Sequence, residues 1–103
     1  MNTIKNKPKT LDEVKQILLL KKEYLKKKYN IKEIGIFGSY AYGNPKEKSD
    51  LDILVEFENP IGLDFVSLAD ELEGLLEHKI DLVSANAIKP NMMKSVMENL
   101  IYV

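Results

Sequence analysis

The chain has 103 residues, 45% hydrophobic and 30% charged, with 15 basic against 16 acidic side chains for a formal net charge of -1. That size and balance fit one small domain with room for a real core, and they give no support to general nucleic-acid binding. The absence of cysteine rules out disulfides and thiolate metal sites; no apolar run approaches the roughly 20 residues of a bilayer span or suggests a signal peptide, so a cytoplasmic home is expected.

Residues 1–9 are polar and basic and read as a flexible arm before a single domain over 10–103. Thr10-Leu11-Asp12-Glu13 is a capping box, with Thr10 as N-cap. Leu11, Val14, Ile17, Leu18, Tyr24 and Leu25 follow on a helical stripe that should end near Tyr29-Asn30. Lysines 21, 22, 26, 27 and 28 crowd its far end, where cations complement the helix dipole. They read as a solvated face rather than an RNA contact, because aromatic residues do not interleave with them as a base-stacking platform.

Ile31 to Phe37 predicts a short strand with Ile34 and Ile36 on one face, leading into Gly38-Ser39 and a one-turn helix over Tyr40 to Tyr42. Gly43-Asn44-Pro45 breaks the chain there. From Leu51 to about Glu58 the odd positions are apolar, while Asp50, Asp52, Glu56 and Glu58 are acidic, the alternation of a half-buried strand. Asp64 can cap a helix carrying Phe65, Leu68, Ala69, Leu72, Leu75 and Leu76, in which Gly74 predicts close packing or a frayed end. Lys79 to Val83 is a third strand, interrupted by Asp81. Pro90 suits the first position of a last helix with Met92, Met93, Val96, Met97 and Leu100 on its apolar side, read first as core and second as a partner surface. Ile101-Tyr102-Val103 either adds an edge strand or packs beneath the sheet.

The chemistry concentrates in residues 37 to 55. Asp50 and Asp52 point the same way from one strand, roughly 6 to 7 Å apart at the backbone, so they can converge on a hard cation. With one histidine and no thiol available, oxygen-ligated magnesium is the expected metal, with manganese the alternative. The Gly38-Ser39 turn lets a phosphate approach the main chain, and a helix starting there favours an anion. A phosphate cradle beside metal ligands suggests nucleotide chemistry. Taken singly, Gly38 and Gly43 could be turn glycines, Ser39 an N-cap and the two aspartates a solvent face; their joint spacing favours a site. Tyr40 and Tyr42 read as packing or rim residues, and His78 as a surface or capping residue.

The strings Gly38-Ser39-Tyr40-Ala41-Tyr42-Gly43 and Ser49-Asp50-Leu51-Asp52-Ile53-Leu54-Val55 resemble the signature of the minimal nucleotidyltransferases, within the polymerase-beta-like superfamily. The resemblance implies an α/β (α+β) nucleotidyltransferase fold, a small mixed β-sheet flanked by helices. It implies AMP transfer from ATP by a two-metal mechanism, with Asp50, Asp52 and Asp81 as catalytic and metal-binding residues. Gly38, Ser39 and Ser49 would hold the nucleotide or its surroundings. The acceptor implied is a protein hydroxyl, a tyrosine of a HEPN-type toxin for which the chain would be the antitoxin, in a hetero- or homo-oligomer, with neither nucleic acid nor membrane as partner. One departure is Tyr42, where many relatives carry arginine. It keeps open a non-catalytic partner that neutralises the toxin by contact. A small-molecule nucleotidyltransferase ranks last, since such enzymes generally need a further acceptor-binding domain.

Overall fold

The computed structural model describes residues 10–43, 50–59, 62 and 64–103. The arm at 1–9 and Ser49 lie outside the described residues. α1 (Leu11–Tyr29) opens on the capping box: the Thr10 side chain accepts from the Glu13 amide at 3.1 Å, and Glu13 Oε1 accepts from the Thr10 amide at 2.8 Å. Asn30 ends the helix in the left-handed region, φ 55°, with its amide donating to the Lys26 carbonyl. Val14, Leu18, Leu25 and Tyr29 form its buried stripe. Tyr24, expected in that stripe, is instead 48% exposed. It lies off the line of Leu25 and Tyr29 and serves as a surface partner of Lys28, whose Nζ donates to the Tyr24 hydroxyl at 3.0 Å.

The chain continues through β1 (Ile31–Phe37), the single turn α2 (Ser39–Tyr42), β2 (Leu51–Phe57), α3 (Asp64–Leu76), β3 (Ile80–Ser84), α4 (Pro90–Met97) and β4 (Ile101–Tyr102). The four strands make one mixed sheet in the order β3-β2-β1-β4. β1 is antiparallel to both β2 and β4, and β2 is parallel to β3. The parallel pair is connected through α3, as a crossover must be. The α/β fold, with a small mixed sheet flanked by helices, is thus the one expected.

One face of the sheet carries the core. Ile34 and Ile36 of β1 and Leu51, Ile53 and Val55 of β2 are buried against Leu18 and Leu25 of α1 and Leu68, Leu72 and Leu76 of α3. Two hydrogen bonds join the two helices: the Tyr29 hydroxyl donates to Glu71 Oε1 at 2.6 Å, and Lys28 Nζ donates to the same oxygen at 3.0 Å. Glu71 is held below the usual carboxylate range, first by the Tyr29 hydrogen bond.

The other face is covered too. Leu54 is only 4% exposed although the alternation of β2 points it away from the core. Met93 and Met97 line a cavity with it, and Leu100 comes so close to Gly35 that a β-carbon there would stand 2.6 Å from Leu100 Cδ1. The apolar side of α4 is therefore split: Val96 is buried, while Met92 and Met97 are 56% and 49% exposed. Two further expectations change. Asp64 is the first residue within α3 rather than its cap, a place where a carboxylate still complements the dipole. Gly74 is exposed, with nothing within 4 Å of an added β-carbon, so close packing does not explain it.

Candidate active site

β1 delivers the chain to Gly38, which adopts φ 74° and ψ -153°, a conformation that L side chains rarely enter. A β-carbon at this position would overlap Asp52 Oδ2. Gly38 is thus required twice, by its backbone and by the carboxylate pressed against it. Its carbonyl accepts from the amides of Ala41 and Tyr42, both at 3.0 Å, which closes the turn of α2. The N-cap of that turn is Gly38, with Ser39 as the first helical residue.

α2 is pinned from below. Tyr40 is buried, and its hydroxyl lies 3.0 Å from His78 Nε2, while His78 Nδ1 lies 2.9 Å from the Lys79 carbonyl. A carbonyl only accepts, so Nδ1 carries the proton and Nε2 accepts from the tyrosine. The rings meet edge to face at 5.6 Å. This contact ties the α2 turn to the segment that leads into β3. His78 was expected to be a surface or capping residue, and no local signal could have paired residues 38 positions apart.

The carboxylates arrive by strand register. Asp52 pairs with Phe37 across the antiparallel ladder and with Asp81 across the parallel one. The Leu51 amide donates to the Lys79 carbonyl at 3.0 Å and fixes that register at its first residue. Paired residues share a face, so Asp52 and Asp81 stand side by side at the end of the sheet where Gly38 emerges. Burial pushes the Asp52 carboxyl up to about 6, helped in turn by the charges of Asp81 and Asp50 and by a side-chain hydrogen bond with Asp81. Asp50, exposed just before β2, thus acts on the same group. Among the described residues, no three Asp, Glu, His or Cys side chains form a closed metal cage. Asp52 and Asp81 are the near pair, and Asp50 is felt through space.

Beside Gly38, α2 and α4 enclose a cavity of about 300 Å³ lined by Phe37, Tyr42, Met92, Ser95, Val96 and Asn99. Tyr42, at its rim, is 60% exposed. The sequence marked Gly38, Ser39 and the aspartates; on α4 it marked Met92 and Val96 as core first and partner surface second, and gave no signal for Ser95 and Asn99.

The nucleotidyltransferase domain family matches residues 18–103. The chain belongs to that family. A Methanocaldococcus jannaschii chain provisionally named a protein adenylyltransferase is 55% identical over 97 residues, covering 92% of this chain and 99% of that one. The protein adenylyltransferase MntA of Thermococcus cleftensis is 43% identical over 95 residues, covering 91% and 96%. A solved structure described as a provisional minimal nucleotidyltransferase is 32% identical with a TM-score of 0.72, covering 90% of this chain and 95% of that one. The Shewanella oneidensis complex of an MNT antitoxin with its tri-AMPylated HEPN toxin is alike in fold, with a TM-score of 0.60 at 21% identity, covering 84% of this chain and 70% of that one. The Gly38 turn and the Asp52–Asp81 pair therefore belong to a nucleotidyltransferase enzyme. Among the described residues, no helix is long and apolar enough to cross a membrane.

Proposed function

We propose that this nucleotidyltransferase moves AMP from ATP to a tyrosine hydroxyl of a HEPN-type toxin and thereby acts as its antitoxin. The observation that carries the reading is the in-register Asp52–Asp81 pair set against a glycine turn with no room for a side chain. The protein adenylyltransferase names of the relatives and the MNT–HEPN complex among the structural neighbours support the acceptor class.

The acceptor oxygen attacks the α-phosphorus as the bond to pyrophosphate breaks on the opposite side, and the hydroxyl proton is lost. Asp81, exposed on β3, would hold the acceptor side of the site and help to take that proton. Gly38 and Ser39 grip the triphosphate through main-chain N–H groups at the start of α2, which lack partners within a helix, with the Ser39 hydroxyl beside them. Ser49 would orient the entrance to β2.

The residues present fit divalent magnesium. Like charges crowd a half-buried carboxyl, and magnesium takes only one or two protein carboxylates before completing its shell with water and phosphates. The lack of a closed three-residue cage among the described residues is consistent with that habit. Asp50, Asp52 and Asp81 would hold two such ions, with manganese as a substitute; when bound, they neutralise charge on the attacking and leaving oxygens.

The test is incubation of the chain with labelled ATP, magnesium and a HEPN-type protein encoded beside it. Label should appear on a toxin tyrosine and vanish for the Asp50→Ala, Asp52→Ala double variant, whose circular dichroism stays that of the parent. Transfer that survives in the double variant would remove the proposal. Inhibition of the toxin without label would instead support neutralisation by contact, the reading that Tyr42 keeps open.

A further inference from the structure

The cavity between α2 and α4 shares Gly38 with the carboxylates but is a separate space. At about 300 Å³ it lies at the small end of ligand pockets, which run from about 300 to 1,000 Å³. That volume suits one planar ring system rather than a whole nucleotide. Its walls are apolar at Phe37, Tyr42, Met92 and Val96, and polar at Ser95 and Asn99. Tyr42 and Met92 are 60% and 56% exposed, so neither is consumed by the core. Among the described residues, the side chains of Ser95 and Asn99 have no hydrogen-bond partner. A half-buried amide beside exposed ring and thioether surface is an arrangement that a heterocycle would complete.

The geometry points to this cavity as the seat of the nucleobase, with Tyr42 and Met92 flanking the ring and Asn99 choosing adenine. The inference rests on the reading of the chain as an ATP-using nucleotidyltransferase. With the phosphates held on the main-chain N–H groups of the Gly38-Ser39 turn, the base lies within the reach of one ribose, and the cavity begins at Gly38 itself. The Asn99 amide presents a donor beside an acceptor. Adenine presents the matching pair, its N6 amino group beside N7, whereas guanine shows two acceptors, O6 and N7, along the same edge. A guanine carbonyl would therefore face the amide oxygen. Tyr42 accounts for affinity without choice, because every base has a face on which an aromatic ring stacks. The residue that stands where many relatives carry arginine thus gains a role that a cation would not fill in the same way.

The experiment is calorimetric binding of ATP and of GTP, each with magnesium, to the intact chain and to its Asn99→Leu and Tyr42→Ala variants. Labelled transfer by wild type and Asp52→Asn is followed in parallel. ATP should bind at least about tenfold more tightly than GTP, and Asn99→Leu should bring the two near equality. Tyr42→Ala should weaken both by about tenfold. Thermal melts of each variant should stay cooperative, since Tyr42 is 60% exposed and Asn99 only half-buried. Unchanged nucleotide binding in both variants overturns the assignment; a raised KM for the protein acceptor in its place would make the cavity the acceptor's seat. Where the two variants bind unchanged while wild type binds ATP and Asp52→Asn abolishes transfer, the base assignment alone falls. If wild type binds neither nucleotide, the enzymatic reading falls with it.

Discussion

Asp52 and Asp81 stand opposite each other in register across the parallel strands β2 and β3, and burial, helped by the Asp81 charge, raises the Asp52 carboxyl to about 6. The folded chain binds the carboxyl proton more tightly than the unfolded chain does. The stability it contributes is therefore full below the ordinary carboxylate range and is lost as pH rises through about 6. Without metal, the melting temperature should fall between pH 5 and pH 7.5. Asp52→Asn should flatten that fall and stabilise the chain at pH 7.5 by on the order of 1 kcal/mol, after allowance for solvent screening. Thermal melts of both proteins at the two pH values decide it; an equal fall in the variant would show that the proton sits elsewhere.

Magnesium should reverse the same penalty. Added at pH 7.5 in excess of its dissociation constant, it should raise the melting temperature of the wild type, since a ligand that binds only the folded chain stabilises it by mass action. Asp52→Asn should respond less, and the difference is read by melting each protein with the metal and with a chelator.

Gly38 and Gly43 share a positive φ, 74° and 81°, yet differ in surroundings. An added β-carbon at Gly43 meets nothing within 4 Å, whereas at Gly38 it meets the Asp52 carboxylate. Gly43→Ala should cost about 1 kcal/mol of backbone strain alone. Gly38→Ala should cost about 3 kcal/mol and displace Asp52. Denaturant unfolding gives the two costs, and equal values would show that Asp52 yields freely.

Tyr29 and Glu71 join α1 to α3. Tyr29→Phe should cost about 1–2 kcal/mol, because the bond ends on a charged acceptor. Lys28→Ala should cost less, since its ammonium is exposed. The sign with pH is opposite to that of Asp52: Glu71 is held low, so its stability is present above the ordinary carboxylate range and lost as pH falls below it. Acid titration of the wild type and Tyr29→Phe separates the two windows.

Gly74 should be replaceable with profit. It is an exposed helical residue in open space, so Gly74→Ala should stabilise the chain by about 0.5–1 kcal/mol. A loss of stability on unfolding would reveal a contact made by the glycine backbone.

Much of this architecture was legible in local patterns. The capping box at Thr10, the alternation of Leu51, Ile53, Val55 and Phe57, and Pro90 at the head of α4 each report a local rule that tertiary packing left intact. Leu54 was not legible, because a period of two reports one covered face and α4 covers the second. The motif named Asp50 and Asp52, and the family resemblance added Asp81, but the register that sets Asp52 beside Asp81 comes from strand pairing across an intervening helix. The same distance in sequence hid the link from Tyr40 to His78.

The last strand has a reach beyond its two residues. Ile101 and Tyr102 pair with β1, the Val103 amide donates to the Ile34 carbonyl at 2.9 Å, and Leu100 fills the space left by Gly35. One short tail thereby braces the strand that presents Gly38 and anchors the segment carrying Asn99. Clipping the chain after Asn99 would loosen both walls of the cleft at once, so an affinity handle is better fused at the opposite terminus.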